Sequence, residues 1–366
     1  MPQLSRTLVA VTIVAIAVGS AGAVHAGSGK LKQIGTIANP AGPIDEFDIG
    51  FVDQKSQRYY LADRSNKSVD IFDAKSDKFI GSVGGFLGVI MKNGKPNNDV
   101  SGPDGVLIFG NEAWAGDGDS TIKVIDLKTN KVVDTVKTGG ESRVDEMAYD
   151  AKDGVFIGVN NAEEPPFATL VSTKPGHKIL AKIAFADATD GAEQPVYNPA
   201  DGMFYVAIPE LKKDAKKGGV AVIDPRKGKL VKILPVDNCH PNGLAVGADN
   251  NLVLGCTASG KEEMPPIITI IDPKTGKVVK NVADIGGADM VAYNPKTGQY
   301  YTGSRLMPDG PVLGVIDAKS NALVQKIALK SGNPHSVAVN YANNHVFVPQ
   351  SSKGGGCGCV LVFAPE

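Results

Sequence analysis

The sequence predicts an all-β, seven-bladed β-propeller whose last blade is completed by a strand from the N-terminal end. Three observations carry this. A strand–turn–strand unit recurs along the chain, a short apolar run ending in Asp recurs in step with it, and the final unit is one strand short. The repeat is plainest in Tyr197-Asn-Pro-Ala-Asp-Gly-Met-Phe-Tyr-Val206 and Tyr293-Asn-Pro-Lys-Thr-Gly-Gln-Tyr-Tyr-Thr302. It returns as Asn333-Pro-His-Ser-Val-Ala-Val-Asn-Tyr-Ala-Asn-Asn-His-Val-Phe-Val-Pro349.

Taken in order, residues 1–26 read as a cleavable signal peptide. Arg6 supplies a positive start, Leu8 to Val18 is apolar but short for a bilayer span, and Val24-His-Ala26 offers small residues before a cleavage point. Residues 27–366 are then expected to form one exported domain, periplasmic or secreted, with no membrane insertion. Leu31 to Ala38 is a lone strand without a neighbouring hairpin partner. Seven units follow, starting near Pro43, Gly102, Glu141, Gly191, Asn238, Gly286 and Gly332. Their third strands end in Ile71-Phe-Asp73, Val124-Ile-Asp126, Leu170-Val-Ser172, Val222-Ile-Asp224, Ile270-Ile-Asp272, Val315-Ile-Asp317 and Val362-Phe-Ala364. The seventh unit has only three strands, and the orphan strand at 31–38 is its natural fourth. Such closure leaves only short, protected sheet edges.

A chain of 366 residues, 42% hydrophobic with a formal charge of −1, has ample core and no electrostatic reason to bind nucleic acid. It is expected to be a monomer whose partner is a small molecule or a periplasmic protein. No Cys-x-x-Cys-His haem motif or P-loop occurs, nor a convincing Gly-x-Ser-x-Gly elbow.

Aligning the seven units on their first strands places Asp48, Asp104, Asp145, Glu193, Asn242, Asp289 and His335 at equivalent positions around one channel mouth. Glu46, Glu146 and His240 lie one or two residues away. Five carboxylates around a narrow channel repel one another unless a cation neutralises them. Asp48, Asp104, Asn242 and Asp289 are the candidate ligands of a divalent metal. Oxygen donors point first to Ca²⁺, with Zn²⁺ or Mn²⁺ as alternatives because His335 is near. An Asp or Asn at a strand start can equally serve only the backbone of its own turn. Arg64, Arg143, His240 and Arg305 are candidates to hold an anionic substrate group, or simply to pair with the acids. The loops Ala162–Phe167 and Lys261–Ile267 extend an acidic rim, and the connection 85–101 is a candidate flap on the same face.

Cys239 and Cys256 flank one strand pair and are expected to form a disulfide. Cys357-Gly-Cys359 reads as a local disulfide or as a soft-metal thiolate pair, which keeps a copper-handling role as an alternative.

The Val/Ile-Asp-Pro/Ala-Lys-Thr/Ser-Gly/Asn turns and their paired strands resemble the YVTN-type β-propeller repeat family over nearly the whole mature chain. That family implies a fold and no particular activity. Shorter strings resemble the metal motifs of senescence-marker/gluconolactonase-type propellers: Asn242-Gly-Leu-Ala-Val246, Asp104-Gly-Val106 and Asp289-Met-Val291. In the first blade Asp48 stands where that family has Glu, with Glu46 close by. This resemblance implies a metal that polarises a lactone or ester carbonyl, with Asp145, Glu193 or His335 activating water. The alternative reading is a non-catalytic scaffold for a protein or cell-envelope partner.

Overall fold

A computed structural model describes Met1 and residues 29–257 and 264–366. The signal-peptide reading and part of the 261–267 loop lie outside the described residues. Seven four-stranded antiparallel sheets are arranged as blades. They span Phe47–Gly84, Val106–Lys137, Met147–Ala184, Pro195–Asp237, Pro241–Ala283 and Ala288–Ala328, and the seventh joins 338–365 to Leu31–Ile37. The innermost strands of successive blades touch in sequence, and the seventh touches the first, so the ring is closed. The N-terminal strand pairs antiparallel with Cys359–Pro365. It also docks on blade six, where Leu31 and Gln325 exchange two hydrogen bonds of 2.8 and 3.0 Å.

Burial explains why these strings become strands in this order. The second and third strands of each blade, such as Arg58–Asp63 and Ser68–Asp73, are buried on both faces because neighbouring blades cover them. The outermost strands, such as Lys78–Gly84, alternate between covered and exposed residues, as a half-buried strand must. Seven apolar clusters fill the gaps between blades, each drawing on neighbouring sheets.

The repeated Asp at the end of the third strand is a turn device. Oδ1 of Asp126 accepts from the backbone N–H of Lys128 and of Thr129, both at 2.8 Å. Asp73, Asp272 and Asp317 accept from their own turns in the same way. These bonds favour the charged form and hold each of these carboxyls below the usual range. The turns then need a left-handed residue, supplied by Gly276 at φ +72 and by Asn130 at φ 52.

Both cysteine pairs are disulfide-bonded. Cys239–Cys256 closes across blade five, where Pro241 pairs with Cys256. Cys357–Cys359 is local, so the thiolate pair that a soft-metal site would need is not present in this form of the chain. No described helix is long and apolar enough to cross a membrane.

Candidate functional site

Each innermost strand lines the central channel. At the ring the backbones approach closely: Ile49 N donates to Asp104 O at 3.2 Å, and Gly105 N donates to Asp145 O at 2.8 Å. A Cβ on Gly105 would stand 2.2 Å from that same Asp145 oxygen, which is why this position carries no side chain. Adjacent blades thereby bring the side chains of Asp48, Asp104 and Asp145 together in space.

The result is a polar chamber of about 270 Å³ at the face where the inner strands begin. Asp48, Asp145, Glu193, Asn242, Asp289 and His335 line it, with Arg64, Arg143 and Arg305 among them. Asp104 stands immediately behind, completely buried and bonded to Arg64. The ring residues are tied both within blades and across them, the cross-blade bonds being Arg64 to Asp104, Asn242 to Asp289 and His335 to Asp48. Arg64, itself 3% exposed, bridges Asp48 and Asp104 through one guanidinium nitrogen. Arg143 Nη2 lies 2.7 Å from Asp145, and its Nη1 lies 3.9 Å from Asp104. On the far side Arg305 Nη2 lies 3.0 Å from Asp289, to which Asn242 Nδ2 donates at 3.3 Å.

His335 is held on both sides. Its Nδ1 faces the carbonyl of Asn333 at 2.8 Å and its Nε2 faces Asp48 Oδ1 at 3.1 Å, while the ring stacks on Phe47. Both nitrogens face acceptors, so the ring is fixed between Asn333 and Asp48. His240 does not join the group: its Nε2 lies 3.2 Å from Asp190, outside the chamber lining. Arg64 and Arg143 are committed to ring carboxylates. Arg305 alone keeps an unpartnered Nε–H and is about a third exposed. The 85–101 connection covers the rim, where Arg143 N donates to Asp99 O at 2.7 Å and Arg143 Nη1 to Asn98 O at 3.3 Å. In the Ala162–Phe167 loop, Glu163 accepts from the backbone of Glu141 and Ser142 and closes back on its own blade.

Charge is unbalanced here. Eight carboxyls (Glu46, Asp48, Asp99, Asp104, Asp145, Glu146, Glu193 and Asp289) stand with three guanidinium groups. Burial alone would raise Asp48, but Arg64, the His335 hydrogen bond and Arg143 together hold it well below the carboxylate range. Elsewhere burial prevails. It pushes Asp145 up to about 7 despite Arg143, and Asp104 well above its usual value. Burial, then repulsion from Asp145 and Asp289, lifts Glu193 to about 8. Glu146 is driven up by burial and by Asp145 and Glu193.

One ligand oxygen from each of Asp48, Asp104 and Asp145 lies within 4.8 Å of the others, and all three residues are buried. This acidic cluster can hold a metal ion. It unites two of the four ligands expected from the sequence with one residue expected to be catalytic. The other two, Asn242 and Asp289, pair with each other across the chamber.

A solved hydrazine synthase chain of Kuenenia stuttgartiensis superposes on this one with a TM-score of 0.68, covering 88% of this chain and 95% of that chain. Identity is 13%, so the likeness is one of fold. The chain is a seven-bladed β-propeller. No family model matches it, and no curated protein matches its sequence.

Proposed function

We propose that the polar chamber takes up a divalent cation together with a small polar molecule, and that its chemistry is hydrolysis of a lactone or ester. The observation that carries the reading is the buried triad Asp48, Asp104 and Asp145, with ligand oxygens within 4.8 Å of one another. The residues fit a hard cation. All three donors are carboxylate oxygens, and Asp104 Oδ2 is buried without a partner. Ca²⁺ suits such a set first, with Mn²⁺ or Zn²⁺ as alternatives.

When bound, the ion would polarise a substrate carbonyl oxygen. Glu193 is the chain's own proton carrier: it lines the chamber, has no salt bridge among the described residues, and sits at about 8. At neutral pH it holds a proton for a leaving alkoxide. A nearby positive charge lowers it, and it then accepts a proton from water. Arg305, with its unpartnered Nε–H, is the group placed to hold the carboxylate product. The two disulfides support an exported, oxidising location for this activity.

The test is a titration of chelator-treated protein with Ca²⁺, Mn²⁺ and Zn²⁺ in buffers of differing protonation enthalpy. Binding of one equivalent with release of protons is expected, and loss of that binding in Asp145→Asn. Hydrolysis of δ-valerolactone or p-nitrophenyl acetate should disappear in Glu193→Gln while the ion is retained. Absence of binding below the millimolar range overturns the reading.

Arg64 favours a second reading, a non-catalytic scaffold for a periplasmic partner, because its guanidinium already neutralises Asp48 and Asp104. Ion binding without turnover is the result that separates the two.

A further inference from the structure

Beyond the acidic ring the channel changes character. The residues following the ring positions on the seven inner strands are Ile49, Gly105, Glu146, Gln194, Gly243, Met290 and Ser336. Glu146 is the single ionisable group in that row. The next rows are Gly50, Val106, Met147, Pro195, Leu244, Val291 and Val337, then Phe51, Leu107, Ala148, Val196, Ala245, Ala292 and Ala338. Most of them, though not Val337, Ala292 or Ala338, enclose a chamber of about 760 Å³ that opens on the opposite face of the propeller. Tyr149, Tyr197, Tyr293 and Tyr341, all half-buried, stand around it.

We propose that this lower chamber is a second binding site, for an uncharged, ring-bearing, largely apolar small molecule that carries a carbonyl-type acceptor at its inner end. The volume lies in the range of small-molecule pockets, and apolar walls with few convergent polar groups are what such pockets have. Tyrosine rings around an apolar well favour flat rings by stacking and edge contacts.

The inner end sets the polarity of the ligand. Gln194 lines the chamber, and its Oε1 already accepts from Leu244 N at 2.6 Å, which leaves its amide N–H groups for a ligand. Glu146 lines both chambers, is 4% exposed, and its Oε2 has no hydrogen-bond partner. The Gln194 amide N–H groups at the bottom of an apolar well select an acceptor, and the carboxyls of Glu146 and of the ring just beyond disfavour a carboxylate.

The experiment uses two neutral aromatic probes on the mature protein, Nile red, which has a ring carbonyl, and N-phenyl-1-naphthylamine, which has none. Both should bind saturably with one equivalent and a blue-shifted emission. Filling the well by Ala148→Trp, or by Val196→Trp nearer the mouth, should weaken both by at least about tenfold. Gln194→Met, close in size but without N–H donors, should weaken Nile red by about tenfold and leave N-phenyl-1-naphthylamine within about twofold. Each variant is checked by its thermal midpoint, and the two tryptophan variants back one another should either misfold. Non-saturable binding overturns the proposal. So does saturable binding that neither tryptophan variant weakens, since the probe then sits elsewhere, and so does an equal loss of both probes in Gln194→Met. None of these outcomes depends on an ion in the upper chamber.

Discussion

The two ends of the channel are built from the same seven strands, yet one is lined by charged groups and the other mostly by apolar ones. The ring position carries Asp, Asp, Asp, Glu, Asn, Asp and His, while two residues further on every blade offers Gly, Pro or an aliphatic side chain. A single step in strand register separates them, and Glu146 stands at the step, lining both chambers. The upper chamber is held by electrostatic balance among buried groups, which is directional and conditional on pH and ions. The lower one is held by packing, which is neither. The same scaffold thus offers two chemically unlike sites without any change of fold.

The largest expected effect comes from breaking that balance. Arg64→Met leaves Asp48 and Asp104 buried without their shared guanidinium. A loss of about 3–5 kcal/mol in urea unfolding is expected, and added Ca²⁺ should restore part of it if the triad holds the ion. Next comes the dependence on pH. Glu193 moves from 4.5 to about 8 on folding, so between those values the native state binds the proton and the unfolded chain does not. Stability from this group therefore falls as pH rises from about 5 to about 8 and is level above that. Glu193→Gln should flatten the decline, as unfolding at pH values of about 5, 6.5 and 8 would show. Reduction of the Cys239–Cys256 bridge, which closes a 17-residue separation, should cost about 3 kcal/mol at any of these pH values. A pH-independent loss marks an effect outside the charged chamber. Smallest of all is Met290→Leu in the wall of the lower chamber, expected below about 1.5 kcal/mol with no pH or salt dependence. A pH-dependent loss there would blur the distinction between the two sites.

The fold and the ring were legible because a propeller repeats. Aligning copies of one strand pair is enough to identify Asp48, Asp104, Asp145, Glu193, Asn242, Asp289 and His335 as neighbours, and the chamber lining contains six of them. Arg64, Arg143 and Arg305 were readable as candidate partners of the acids, but which acid each one takes was not. Arg64 follows a second strand in blade one and reaches Asp104 in blade two, a contact between blades that no single repeat encodes. Nor was the place of His335, held between Asn333 and Asp48, readable from the repeat. The lower chamber was missed although its signal was present: Tyr149, Tyr197 and Tyr293 recur four residues after the ring position. Tyr197 and Tyr293 served to mark the repeat, and the step from repeat to channel wall required extending the alignment past the first row. Glu146 was noted only as a neighbour of the ring, yet its isolation in an otherwise uncharged row is readable from the same alignment.

The pairing of Leu31–Ile37 with Cys359–Pro365 has a consequence for how the molecule is assembled. Until that pairing forms, the seventh sheet is one strand short and its outer edge, Cys359–Pro365, is unsatisfied. The contact joins the most distant segments of the described chain, so it carries the largest loop-closure entropy of any strand pair and is the slowest to gain by chance. Completion of the seventh blade is thus the last property acquired and the first lost. Cutting either seven-residue strand would leave an edge of that sheet unpaired and prone to self-association.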